Sequence, residues 1–263
     1  MIYHYCSEDV FKKISETKAI RLSDITKMRD SGEYKSGFQI ICDILKSCPE
    51  VDQVASSEMA PENINKTFKI LIACFSQNGD VLSQWRAYAD DSKGFSIGFD
   101  SELIRQHHMF NRFLEKMKPI SGKIQLISVN YDLVEIEQEV HQLIRSFARS
   151  DSPIRFTLLS RALMYLAIRY KDKFFAEEQE VRGVITPEER IQGDDYTIEQ
   201  RETSYGNAFY HQLNTSFDNM HAIKEVVIGP RNGSAVEQVK KYLEHRGLKD
   251  IYIRKSNGSG KYR

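Results

Sequence analysis

The chain has 263 residues, and its 37 lysines and arginines are balanced by 37 aspartates and glutamates, so that the formal net charge is zero. This balance argues against a protein whose main partner is duplex nucleic acid, because non-specific affinity for DNA depends on neutralising phosphates. Zero net charge does not exclude a local basic patch. The length allows a sizeable core, and the order of segments predicts a single α+β domain over residues 1–263 with a helical insertion at about 132–172.

The cysteine, histidine and N-terminal patterns bear on location and metal content. The N-terminus has no basic start followed by an apolar run, and no window of about 18 apolar residues occurs, so we expect a cytoplasmic protein with no membrane partner. The cysteines form no C-x-x-C pair and are expected to be reduced thiols. The histidines form no H-x-x-x-H pattern, and no metal centre is predicted.

In the first third of the chain, apolar spacing predicts short strands alternating with helices. Ser7 is a good N-cap for a helix over 10–17, and a second helix over 38–46 should end before Pro49. We expect a turn-rich loop over 23–34, and a helix with a mobile linker over 50–66. The predicted strands are 2–6, 19–22 and 68–75.

The centre of the chain holds the only tryptophan, Trp85, between two strand-like runs, Ile70–Phe75 and Gly94–Phe99. In a helix, Tyr88 would share a face with Trp85, and the two rings could stack on a planar ligand such as nicotinamide or a base. Aromatic residues at helical spacing are also typical of a core. An aromatic segment held between two buried strands is nevertheless a common way to build a pocket.

The remaining elements are predicted from periodicity and capping signals. Asp100 should begin a helix over 101–109, and Ser234 with Glu237 forms a capping-box pattern for a helix over 234–245. Residues 133–170 should form two helices separated at 150–153, and 191–207 an exposed loop. Further strands are predicted over 122–129, 174–185, 222–228 and 251–254.

A cluster of charges on the strand predicted over 174–185 is the first candidate for chemistry. Strand alternation sends Glu178, Glu180 and Arg182 to one face and Val181 to the core. One carboxylate would then stabilise a developing cation while the other works on a nucleophile, with Arg182 tuning a pKa or holding a phosphate. The alternative is a solvated strand face with an ion-paired arginine.

Two other features have both a functional and a structural interpretation. His4, between Tyr3 and Tyr5 on the first strand, would either hydrogen-bond a ligand hydroxyl or serve as a structural histidine. The loop Gly229–Gly233 joins a strand to a helix and would present backbone N–H groups to a phosphate, but it lacks the P-loop and dinucleotide spacings, which favours a plain turn.

Several segments together resemble the bacterial domain of unknown function 2971 family. They are the opening Tyr3-His4-Tyr5, the strand ending Cys74-Phe75-Ser76, the run Gln84-Trp85-Arg86-Ala87-Tyr88-Ala89, the run Lys93 to Phe99, the run Glu178 to Arg182, and the ending Val226 to Pro230 with Ile253 to Ser256 and Tyr262-Arg263. That family in turn looks like a distant relation of the ADP-ribosyltransferase superfamily. The resemblance implies a split, mostly antiparallel sheet.

The superfamily resemblance also implies roles for individual residues. His4 would hold the ribose hydroxyls of NAD, Glu180 would stabilise the oxocarbenium ion as nicotinamide leaves, and Glu178 would assist the acceptor. Tyr88 would stack near the nicotinamide, and the pocket would also contain Tyr5, Trp85 and Arg182.

The resulting hypothesis is an NAD-dependent enzyme that modifies a protein or nucleic acid, in a defence or toxin setting. One departure is that no Ser-Thr-Ser motif follows the first third of the chain. Two alternatives stay open: a non-catalytic module that binds a nucleotide or a partner, and a nuclease or hydrolase using Glu178 and Glu180 around a metal.

Overall fold

A computed structural model describes most of the chain. The described residues are 1–28, 31–48, 57–64, 68–105, 124–148, 155–186, 198–203, 206–217 and 220–261. The predicted helix and linker over 50–66 lie largely outside these residues, as do the end of the helix predicted over 101–109 and the start of the strand predicted over 122–129.

The fold is α+β. Its α-helices include α1 (Glu8–Thr17), α2 (Ser31–Ser47), α3 (Leu82–Tyr88), α4 (Leu133–Ala148), α5 (Arg155–Arg169) and α6 (Val236–Glu244), with 3-10 helices at Ile25–Lys27 and Lys173–Glu178. Residues 101–105 are also helical. Its strands are β1 (Ile2–Cys6), β2 (Ala19–Asp24), β3 (Leu71–Ser76), β4 (Phe95–Phe99), β5 (Gln125–Ser128), β6 (Glu180–Ile185), β7 (Glu199–Thr203), β8 (Gly206–Asn214), β9 (Ser216–Phe217), β10 (Met220–His221), β11 (Ile223–Ile228) and β12 (Tyr252–Lys255).

Ten of these strands form one mixed, mostly antiparallel sheet. One path through it runs β12-β11-β4-β1-β3-β2-β8-β7, and β6 with β5 is attached to β3. Among the paired strands of the described residues, only β11 and β12 run parallel. Strand β5 precedes α4, β6 follows α5, and the two strands pair with each other. The segment that carries α4 and α5 thus leaves the sheet and returns to it at adjacent strands.

Strand β3 is the point where the sheet branches. Along its whole length β3 pairs with β6, from Leu71 opposite Ile185 to Ser76 opposite Glu180. Its other edge is shared, because Ser76 pairs with β1 while Leu71 and Ile72 pair with β2. Residues 73–75 therefore pair with neither β1 nor β2 in the described strands, and the sheet opens at this place.

Apolar side chains cover both faces of the sheet. One core cluster packs α1 and α6 against it through residues such as Phe11 and Val239. The other packs α2, α4 and α5 against the opposite face, through residues such as Phe38 and Leu163. Gly37 allows α2 to approach α5 closely, since a Cβ at this position would lie 2.2 Å from the carbonyl oxygen of Ala167.

Most predicted elements are confirmed where the structure describes them. Ser7 caps α1, with its hydroxyl 3.4 Å from the amide of Val10, and Asp100 accepts hydrogen bonds from the amides of Glu102 and Leu103. The two helices predicted over 133–170 are α4 and α5. The helix predicted over 38–46 begins earlier, at Ser31, so the predicted loop over 23–34 is shorter than expected.

Three predictions are wrong in part. Residues 173–178 form a 3-10 helix capped by Gln179, whose left-handed φ of 45° breaks the strand predicted over 174–185. Glu178 therefore does not lie on the strand face that was predicted to carry it with Glu180 and Arg182, because β6 begins at Glu180. The polar loop predicted over 191–207 contains β7 and the start of β8. The cap of α6 is Ala235 and not Ser234, and the side chain of Gln238 accepts from its amide at 2.9 Å.

In the described part of the chain, no helix is long and apolar enough to span a bilayer.

Candidate ligand-binding site

A cavity of about 580 Å³ lies where the sheet opens between β1, β2 and β3. Its walls come from these strands, from α3 and from the segment that leads into β6. The lining residues are Tyr3, His4, Tyr5, Arg21, Ser23, Ile25, Met28, Tyr34, Ile72, Ala73, Cys74, Phe75, Gln84, Ala87, Tyr88, Lys171, Glu178, Glu180 and Arg182.

Two carboxylates and two cations form a buried cluster in this cavity. Arg182 donates from Nε and Nη2 to the two oxygens of Glu180, at 2.8 and 3.1 Å. Lys171 Nζ lies 3.1 Å from Glu180 Oε2 and 2.5 Å from Glu178 Oε2. The four formal charges cancel, which is the condition under which charges are tolerated in a protein interior.

This cluster is anchored to the backbone around it. Arg182 donates from Nη1 to the carbonyl of Ile168 at 2.6 Å, which ties β6 to the end of α5. The amide of Glu180 donates to the hydroxyl of Tyr131 at 2.8 Å. Ser76 Oγ donates to the carbonyl of Glu178 at 2.7 Å. Both carboxylates therefore have fixed positions relative to β3.

The surroundings set opposite pKa shifts on two neighbouring side chains. Burial alone would raise the pKa of Glu180, but the charge and hydrogen bonds of Arg182, together with Lys171, lower it to about 2. Burial raises the pKa of the Cys74 thiol well above its usual value, and the negative charge of Glu180 adds to that effect. At neutral pH, Glu180 is thus ionised and Cys74 is a protonated thiol.

The aromatic wall differs from the predicted stack. Gln84, Ala87 and Tyr88, spaced as one helical face, line the cavity, and Tyr88 is 41% exposed. Trp85 is 1% exposed, does not line the cavity and packs edge-on against Tyr5 with ring centroids 4.8 Å apart. The hydroxyl of Tyr88 is 3.4 Å from Glu178 Oε1, so the wall meets the charged cluster.

Trp85 and Tyr5 hold the helix that forms this wall. The Tyr5 hydroxyl donates to the carbonyl of Asn78 and accepts from the amide of Val81, both at 2.9 Å. Trp85 Nε1 donates to Asp80 at 2.7 Å. These bonds fix the residues just before α3, which explains why α3 presents Gln84 and Tyr88 to the cavity.

His4 lies at the branch point of the sheet. Its Nδ1 is 3.0 Å from the carbonyl oxygen of Cys74, one of the β3 residues that pair with neither β1 nor β2. Burial lowers the pKa of His4, so the neutral ring donates from Nδ1 to that carbonyl. His4 thus links β1 to β3 at one side of the opening and contributes to the cavity wall.

The cavity brings together most of the site residues predicted from the sequence. His4, Tyr5, Tyr88, Glu178, Glu180 and Arg182 line it, and Trp85 lies behind Tyr5. Sequence reasoning missed Lys171, Arg21, Gln84 and Tyr34. Gln84 stands beside Trp85 in the aromatic run, which was a usable signal, whereas Lys171 is an isolated lysine after a helix and offered none.

The glycine loop over 229–233 is a structural turn. The amides of Gly229 and Arg231 donate to the carbonyls of Gly94 and Ser92, at 3.0 and 2.9 Å. The amide of Asn232 donates to Gly229 at 2.9 Å. A Cβ on Gly229 would lie 2.5 Å from the Ser92 carbonyl oxygen, which explains the glycine by close packing. These backbone donors are already used within the protein.

Within the described residues, no group of three or more histidine, cysteine, aspartate or glutamate side chains is arranged to hold a metal ion.

Comparison with known proteins gives one match. Residues 84–183 match the profile of a family described as "Protein of unknown function (DUF2971)". This match supports the resemblance to that family over the segment that carries Tyr88, Glu178, Glu180 and Arg182. No curated protein and no solved structure matches the chain.

Proposed function

We propose that the chain is an ADP-ribosyltransferase-like enzyme that binds NAD in the cavity and transfers ADP-ribose to a protein or nucleic-acid acceptor. The observation that carries the proposal is the convergence of two carboxylates, an aromatic wall and a strand histidine at the opening of one sheet. Cleavage of a glycosidic bond through a cationic transition state needs a carboxylate held beside the sugar.

The residues present fit such a ligand. The volume of about 580 Å³ lies in the usual range of small-molecule sites. Tyr88 offers a partly exposed ring to a planar base. Arg21, exposed and lining the same cavity, places a positive charge where a phosphate can be bound, and its guanidinium lies 4.4 Å from the centre of the Tyr210 ring.

The carboxylates would have distinct roles. In the transfer, the bond between nicotinamide and the ribose C1′ breaks with its electron pair leaving on nicotinamide, and a bond from C1′ to the acceptor nucleophile forms as the acceptor loses a proton. Glu180, ionised at neutral pH, would stabilise the positive charge on the ribose, while Lys171 and Arg182 hold it in place. Glu178, which also lines the cavity, would receive the acceptor's proton.

The test combines thermal melting with nicotinamide release. At a concentration of NAD about 100 times its Kd, we expect the melting temperature to rise by roughly 5 °C. Slow release of nicotinamide should accompany binding. Glu178→Gln should keep the melting shift and lose release, whereas Glu177→Gln, an exposed neighbour outside the cavity lining, should behave as wild type.

The same experiment includes the outcomes that contradict the proposal. A wild-type protein that shows neither a melting shift nor release does not bind NAD in this cavity, and the proposal fails. Release that persists in both Glu178→Gln and Glu180→Gln would show that the carboxylates do not carry the chemistry.

A second candidate is a non-catalytic binding module, and one observation favours it. Both oxygens of Glu180 are already occupied by Arg182, and one of them also by Lys171, so this carboxylate is largely neutralised before any ligand arrives. This candidate predicts a ligand-dependent melting shift with no turnover at any acceptor concentration.

A further inference from the structure

Two arginines lie on one face of the sheet beside the cavity, with Tyr210 between them. Arg21 on β2 is opposite Gln212 of β8. Arg201 on β7 is opposite Ala208 of β8. Both arginines are therefore diagonal neighbours of Tyr210, a separation that long side chains can span. The Arg21 guanidinium reaches the ring and lies 4.4 Å from its centre.

The positive charges of these arginines are not neutralised by the residues around them. Neither arginine forms an ion pair with another residue that the structure describes. The nearby carboxylate of Glu199 is held by neutral donors instead, with Tyr210 Oη at 2.5 Å and Gln212 Nε2 at 3.0 Å. Partial burial lowers the pKa of Arg201, and the positive charge of Arg21 lowers it further. An anion placed between the two guanidiniums would relieve their mutual repulsion.

The position and chemistry of the pair indicate which anion it would bind. Arg21 lines the cavity and Arg201 does not, so an anion that contacts both lies at the cavity rim. Both side chains are exposed, and a ligand can therefore reach them from solvent. A phosphate group has enough oxygens to accept from two guanidinium groups at once, whereas a carboxylate has only two. Phosphate is the anion that fits this position.

We propose that Arg21 and Arg201 form a phosphate subsite at the rim of the cavity, where they hold a phosphate group of a nucleotide whose remaining part lies inside. This inference rests on the proposed function in that a nucleotide occupies the cavity, but it requires no transfer chemistry. The phosphate belongs either to the diphosphate bridge of a dinucleotide or to a terminal phosphate, such as the 2′-phosphate of NADP.

The test measures the affinity of the purified protein for NAD and for NADP at several NaCl concentrations. Arg201→Gln should weaken binding of the ligand whose phosphate the pair holds by about tenfold, since a charge-assisted hydrogen bond contributes about that factor. Added NaCl should weaken that binding more steeply in wild type than in Arg201→Gln, because salt screens exposed charges.

The two ligands distinguish the two sources of the phosphate. If the arginines hold the diphosphate bridge, Arg201→Gln should weaken binding of NAD and NADP by the same factor. If they hold a terminal phosphate, wild type should bind NADP more tightly than NAD, and Arg201→Gln should remove this preference without changing the affinity for NAD.

Three controls separate recognition from structure. Arg145→Gln makes the same replacement at an exposed arginine of α4 outside the cavity lining and should bind both dinucleotides as wild type does. Without ligand, Arg201→Gln should melt within about 2 °C of wild type, because the replaced side chain is exposed. Arg201→Lys keeps the charge and should retain the salt dependence that Arg201→Gln loses.

The outcomes that contradict the two proposals differ. If wild type binds NAD or NADP and Arg201→Gln binds both with unchanged affinity and salt dependence, nucleotide binding stands and the phosphate subsite is wrong. If wild type binds neither dinucleotide, the proposed function fails, and the subsite fails with it because no nucleotide occupies the cavity.

Discussion

At the scale of single residues, Glu180 is a deeply buried carboxylate that is paired with two cations. Its side chain is 5% exposed and bonded to Arg182 and Lys171. A carboxylate whose folded pKa lies below its unfolded value stabilises the protein above the unfolded pKa. That stability is lost as the pH falls through the folded pKa, which for Glu180 is about 2.

We therefore expect acid to destabilise the protein partly through Glu180. Between about pH 5 and pH 2, protonation of this group should remove on the order of 3 kcal/mol of the free energy of unfolding. Glu180→Gln should be less stable at pH 7, because Arg182 loses its carboxylate partner and Lys171 loses one of its two, and its stability should depend less on pH in this range. Urea unfolding at several pH values measures both effects.

The control for this prediction is Glu237→Gln, an exposed glutamate on α6, which should retain the wild-type pH dependence. A Glu180→Gln protein with an unchanged acid profile would show that Glu180 is not the group whose protonation matters.

At the scale of elements, Asp80 connects the helix of the aromatic wall to the last strand. Its carboxylate accepts from Trp85 Nε1 at 2.7 Å, from Ser256 Oγ at 2.6 Å and from the amide of Asn257 at 2.7 Å. Arg254 Nη1 lies 3.3 Å away. Burial would raise the pKa of Asp80, but these bonds outweigh it and lower that pKa. One side chain thus holds β12 and its following turn against the start of α3.

Asp80→Asn should loosen this connection. The neutral amide loses the charge-assisted bonds and brings a donor against the Asn257 amide, so we expect a loss of about 2–3 kcal/mol in the free energy of unfolding. Hydrogen exchange of the amides in residues 252–258 should accelerate more than exchange in α4 and α5.

Asp43→Asn, on the exposed side of α2, tests the specificity of that effect and should change stability little. Unchanged exchange at Asn257 in Asp80→Asn would mean that the turn after β12 is held by its own contacts.

At the scale of the whole molecule, the two core clusters share one sheet. Leu71 and Val181 face one cluster, whereas Ile72 and Val184 face the other, so β3 and β6 carry side chains to both. Loss of packing on one face must therefore disturb the strands that support the opposite face and the cavity.

Phe38→Ala tests this coupling. Phe38 is fully buried in the cluster of α2, α4 and α5, and its truncation should cost about 3–5 kcal/mol. Unfolding followed by Trp85 fluorescence and by far-UV circular dichroism should shift to the same lower urea midpoint.

Phe174→Ala, at a side chain that is 86% exposed, is the matched control and should leave the midpoint nearly unchanged. Separate midpoints for the two probes in Phe38→Ala would show that the two faces unfold independently.

Local sequence patterns account for many of the helices and strands and for part of the cavity lining. β1, the capped start of α1 and the helices α4 and α5 follow from periodicity and capping, which depend on neighbours within a few residues. Six of the seven predicted site residues line one cavity. The aromatic run between two predicted strands had already indicated a pocket at this place.

The other features depend on burial and pairing between residues far apart in the chain. Polar β7 and β8 are strands because β8 pairs with β2, a contact that no local pattern encodes. Lys171 enters the site because α5 ends beside β6, and Gln84 rather than Trp85 faces the cavity because Trp85 packs on Tyr5 and bonds to Asp80.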